Sequence, residues 1–184
     1  MPYLSAMKEQ LLNAWNIHNG KNILLLHNLD DASLKTSLNP RGRNIGEQLA
    51  HMHNVRMTWL EVIAKTLYQK SLLIDKNTTP TIALLTEVLT TSAEKMKEVI
   101  NTSWEKEGKL SSFKPGLIPF ISYLISHESH HRGNILLTLK QSGIKIPDSL
   151  KRGLWEWAAS PNPSGGEAHP GPPGGRESQH TDSA

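Results

Sequence analysis

The chain has 184 residues, 37% of them hydrophobic, a formal net charge of +3 and no cysteine. That length fits one ordinary domain with a tail, and the missing thiols exclude disulfides and every thiolate-ligated metal site. The 20 basic residues are scattered in runs of no more than two with no aromatic residues interleaved, so a nucleic-acid-binding surface is not expected.

The N-terminal stretch MPYLSAMKEQLLNAW lacks the basic start and apolar core of a secretion signal. No apolar run is long enough to predict a membrane span, so the expected location is cytoplasmic and the sequons at Asn77 and Asn101 are not expected to carry glycan. Leu11, Trp15, Leu25 and Leu29 recur near helical spacing and predict a first helix from about Ser5 to Asn28. Asn39-Pro40-Arg41-Gly42 then marks a turn. Asn44 with Glu47 three residues later is the pattern of a reciprocal helix cap, and Ile45, Leu49, Met52, Trp59, Ile63 and Leu67 trace an apolar stripe to about Tyr68. The third helix is expected to open at Thr79-Pro80 and run to about Trp104 through Leu85, Val88, Leu89, Met96 and Val99. The fourth begins near Gly116 and ends at Gly143, with Pro119 acceptable only in its first turn.

No segment alternates with period two, so the expected fold is all-α: an antiparallel four-helix bundle closed at one end by a short helix around Asp148 to Trp157. With only two phenylalanines and three tyrosines, the tryptophans at 15, 59, 104, 155 and 157 are expected to carry much of the large-residue packing. From residue 160 onward ten of 25 residues are Gly or Pro, too little apolar surface to offset ordering entropy. Residues 1–159 therefore read as the domain and 160–184 as a disordered tail.

The chemistry-bearing cluster is His127-Glu128-Ser129-His130-His131 on the fourth helix. Residues four apart stand ~40° apart around a helix, so His127 and His131 can aim both imidazoles at one ion. Two ligands do not make a stable catalytic site, and the second helix offers a third in His51 or His53. Both flank the apolar stripe; the Asn44–Glu47 cap on the side of His51 favours it only weakly. His18, His27, His53 and His130 read as hydrogen-bonded structural histidines, Arg132 as a surface or interface group. Glu47 and Glu128 read as solvated or capping, with a supporting or proton-transfer role beside the metal as the alternative. The H-E-x-x-H pattern of zinc metalloproteases is met by His127, Glu128 and His131, but Asn134 stands where the extended pattern has Gly, and no sheet is predicted to flank the helix.

The string GEQLAHMHNVRMTWLE, followed about 65 residues later by HESHHRGNILLTLKQSG and then by GLWEW, resembles the DinB/YfiT-like superfamily, the damage-inducible helical proteins rather than the polymerase of the same name. The resemblance runs from about Trp15 to Trp157. It implies a bundle with a three-histidine metal site, one histidine eight residues before a tryptophan and a H-x-x-x-H-R-G pair on the last long helix. That spacing selects His51, ahead of Trp59, with His127 and His131 ahead of Arg132-Gly133. Where the family often has Gln, this chain has Asn134, a shorter amide with the same donor and acceptor. His130 fits a HESHH variant and turns away from the metal.

All-nitrogen ligation suits Zn or Ni, and three ligands leave a position open for water or substrate, so the catalytic group would be a metal-held thiol or water rather than a side chain. The resemblance implies, first, thiol-dependent S-transfer from a low-molecular-weight thiol to a small electrophile. Hydrolysis of small amides or esters by a metal-held hydroxide comes second, and a non-catalytic metal-binding stress-response protein third. It also implies a homodimer.

Overall fold

A computed structural model describes residues 2–157. The expected tail, and the last two residues of the expected domain, lie outside the described residues. Five α-helices occur in chain order: α1 Pro2–His27, α2 Ile45–Ile63, α3 Ile82–Trp104, α4 Leu117–Gln141 and α5 Asp148–Gly153. Short 3₁₀ turns at Ser33–Lys35 and Lys70–Leu72 break the two longer connections. Among the described residues there is no strand, as the lack of period-two alternation predicts. No helix there is long and apolar enough to cross a membrane.

The capping signals position the two helices that matter most. Asn44 Oδ1 accepts from Glu47 N at 2.8 Å while Glu47 Oε2 accepts from Asn44 N at 2.8 Å, so two donors that the first turn leaves unpaired are satisfied together. One residue into α2, a Cβ on Gly46 would sit 3.3 Å from the Cβ atoms of both Leu34 and Pro80, and its absence lets the flanking loops close over the start of α2. At the start of α4, Gly116 adopts φ 95°, a conformation that costs little only for glycine, and Pro119 lies in the first turn as expected. The start of α3 departs from expectation. Thr81, not Thr79, is the cap, accepting from Leu84 N at 3.2 Å, and Pro80 precedes it.

α1 and α2 each pack on both α3 and α4. Lys8 meets Glu105, Trp15 Nε1 donates to Ala93 O at 3.0 Å, and His27 meets Thr86, so α1 and α3 run in opposite directions. One apolar cluster joins Leu25, Leu49, Met52, Leu89 and Ile135; a second joins Trp15, Met57, Met96, Phe120 and Leu124. That pairing of halves makes α2 and α3 parallel, so the bundle departs from simple up-down alternation. α2 stops at Ile63 rather than near Tyr68 because the chain must cross back along it before α3 begins. The returning segment is captured there: His53 Nε2 donates to Leu72 O at 2.7 Å, and the Asn54 amide bonds Ile74 O and N at 2.9 and 3.0 Å.

The tryptophans divide. Trp15 is fully buried, and Trp59 packs edge-on against Phe113 and Phe120. Trp155 and Trp157 are 81% and 42% exposed, contrary to expectation, because α5 ends at Gly153 and leaves them beyond the helix whose Leu150 is buried.

Candidate functional site

α2 presents His51 to the His127–His131 face of α4. The three ring centroids stand 4.7 to 5.3 Å apart, with the rings steeply inclined to one another. Each ring offers a nitrogen, and these three atoms lie within 4.8 Å of one another. In a tetrahedral site with metal–nitrogen bonds of ~2.0 Å the nitrogens stand ~3.3 Å apart, so closure by ~1.5 Å at most would bring them into range. His53, two residues on, points the other way, into the core. The choice that periodicity left open is thus made by helix rotation.

The electrostatics keep these rings neutral. Burial, then the neighbouring charges of His127 and His51, push His131 down to about 4. Burial lowers His51, with Arg43 adding to the effect, and burial lowers His127 against the opposing pull of Glu128. A neutral imidazole keeps a free lone pair, which a metal needs. Among the described residues His127 Nδ1 is buried with no hydrogen-bond partner, as is His53 Nδ1 in the core, so the His127 ring has a nitrogen left to bond. The donor set and this orphaned nitrogen fit a divalent metal.

Around the rings, the supporting residues are not those expected. Gln48, one turn before His51, is buried with Oε1 3.5 Å from His131 Nδ1, so the amide neighbour on this side comes from α2. Asn134 instead bonds the exposed His130 at 3.0 Å. Tyr123, one turn before His127, lies against its ring at 6.1 Å. Glu47 closes its cap at the rim of the groove beside His51.

Glu128 is the largest correction. It is neither solvated nor part of the ring cluster but fully buried, ~100° round α4 from His127. Arg56 donates to it twice at 2.7 Å, Asn22 Nδ2 at 2.6 Å and His18 Nε2 at 2.8 Å. Burial would raise this carboxyl, but the Arg56 charge and its hydrogen bonds, with those of His18, hold it well below the usual carboxylate range. With both oxygens engaged by Arg56, Asn22 and His18 it is not free to serve as the base that the metalloprotease pattern requires. Arg132, expected as a surface or interface group, is half-buried in the same network, bonded to Asn22 Oδ1 and to Ser129 Oγ. His18 is a buried hydrogen-bonded histidine as expected, whereas His27 and His130 are exposed.

Arg56 was missed. Its signal was a gap in the apolar stripe of α2 between Met52 and Trp59, matched on α4 by Glu128 four residues after Leu124. Two opposite charges in facing apolar rows indicate a buried pair.

The fold resembles that of a DinB-like protein from Bacillus cereus ATCC 10987, with a TM-score of 0.61 at 19% identity over 74% of this chain and 93% of that one. A comparison with curated proteins gives no match. The sequence model of the DinB family matches residues 4–160, nearly all of the chain before the Gly/Pro-rich stretch. The chain belongs to the DinB family.

Proposed function

We propose that the chain holds a divalent ion, zinc or nickel, between His51, His127 and His131, and acts on small molecules as a thiol-dependent S-transferase. One observation carries this reading: three imidazole nitrogens from two helices lie within 4.8 Å of one another. When bound, the ion supplies Lewis acidity that favours the ionised form of a thiol in its open position. α2 and α4 hold the rings, and burial keeps them neutral and able to bind near neutral pH. Gln48 lies beside Nδ1 of His131, where it favours presentation of the other ring nitrogen.

The surroundings rank thiol transfer above hydrolysis. Among the described residues no carboxylate joins the three rings: Glu128 is paired in the core and Glu47 is engaged in its cap. An ionised thiol is itself the nucleophile and needs no side-chain base. Expelling an amine from an amide needs a proton donor, and neither carboxylate is free to act as one.

Elemental analysis of the purified chain tests the site. About one zinc or nickel per chain is expected, falling below about a tenth in His51→Ala, His127→Ala and His131→Ala, because two remaining imidazoles hold such an ion poorly. Metal content unchanged by these substitutions refutes the assignment. The metal-loaded chain should also consume glutathione in the presence of 1-chloro-2,4-dinitrobenzene, and the His127→Ala chain should not. Equal consumption by both removes the transferase reading.

A further inference from the structure

We infer that the site takes an anionic substrate, whose negative group docks against Arg43 and Lys76 in the groove beside His51. This rests on the metal reading for the reacting end of the substrate, but the groove stands on its own geometry. It encloses about 430 Å³, a size suited to a small molecule, and His51 forms part of its wall. A second hollow of about 370 Å³ opens on the other side, against His131. Arg43 borders both, the hollow walled by His51 and the hollow walled by His131.

The charges of the first groove are unequally engaged. Its cations are Arg41, Arg43 and Lys76, and its acids are Glu47 and Asp75. Both acids already accept from backbone N–H groups, Glu47 from Asn44 and Asp75 from Asn77, each at 2.8 Å. Among the described residues none of the three cations has an ion-pair partner. Three cations against two acids leave the groove with an excess positive charge that attracts anions, and a guanidinium grips a carboxylate through two parallel hydrogen bonds. The neutral rings add no negative charge to oppose this, and a divalent ion between them would add to the attraction. A carboxylate-bearing small molecule is the ligand class this chemistry selects.

The test titrates the full chain, zinc-loaded and again after chelation, with succinate and with succinamide, its uncharged counterpart of the same skeleton. Succinate should bind about tenfold more tightly in both states, and Arg43→Ala should weaken it about fivefold, the effect of losing one exposed guanidinium–carboxylate pair. Lys76→Ala should weaken it in the same direction, with zinc content and succinamide binding unchanged in both variants. Succinate that fails to bind, binds no better than succinamide, or is indifferent to both substitutions overturns the inference. Zinc content separates the two readings. A chain that holds no zinc yet keeps the Arg43-dependent preference loses the metal site and retains the groove; a chain that holds zinc without the preference loses the groove alone.

Discussion

His18 shows how a single ring is assigned its protonation state by its neighbours. Its Nε2 lies 2.8 Å from Glu128 and must donate, while Nδ1 lies 3.4 Å from an Arg132 nitrogen and must accept. Only the neutral ring does both. Burial lowers its pKa, Glu128 opposes, and the charges of Arg132 and Arg56 reinforce the lowering. The consequence for stability has a definite sign. A histidine whose pKa is lowered by folding leaves stability whole above pH ~6.5, where neither state is protonated. Below that pH only the unfolded chain takes up the proton, so stability declines, and His51, His53, His127 and His131 shift in the same direction. Urea unfolding of the chelated protein should therefore show stability falling from about pH 7 to about pH 5.5, less steeply in His18→Gln, which keeps a donor towards Glu128. A level profile contradicts the neutral burial of these rings.

Between helices, Arg56 is the joint. Nε and Nη2 serve Glu128 on α4, Nη1 serves Leu89 O and Ser92 Oγ on α3, and Nη2 also reaches Asn19 on α1, so all five donors are placed. The guanidinium also lies 4.9 Å from the Trp15 ring, and the polar layer it organises separates the two apolar clusters. Arg56→Met should cost about 3–5 kcal/mol by leaving a buried carboxylate without its main partner, and Arg56→Met with Glu128→Leu should cost less than the single change. A double-mutant cycle in urea checks the order; a double variant less stable than Arg56→Met refutes it. Much of this level was legible in the sequence. The Asn44–Glu47 cap and the His127–His131 spacing are local signals that the fold keeps, whereas the equally local Thr79-Pro80 signal gave way to a cap at Thr81. The direction of α3 was not legible, since it depends on a connection whose return path is set by the distant side chains of His53 and Asn54. Glu128 was misread because its neighbours in sequence are histidines, while its neighbours in space are Arg56, His18 and Asn22.

At the scale of the whole molecule, the proposed ion would be a second tie between α2 and α4, beside the Arg56–Glu128 pair. Ligands that bind only the folded chain raise its stability by mass action, so zinc at a hundredfold excess over its Kd should add ~2.7 kcal/mol and raise the melting temperature by about 8 °C. Chelation should remove that increment, and His131→Ala should show none of it; a zinc-induced rise equal in His131→Ala places the ion elsewhere. The crossover of residues 64–81 adds a different consequence. Asn54, one turn after His51, clasps Ile74 through both of its backbone groups, and the residues just beyond that clasp wall the groove. On the proposed reading selectivity is thus detachable from chemistry: residues 75–78 can be exchanged, lengthened or recharged to suit another ligand, while the helix beneath keeps its imidazole in place.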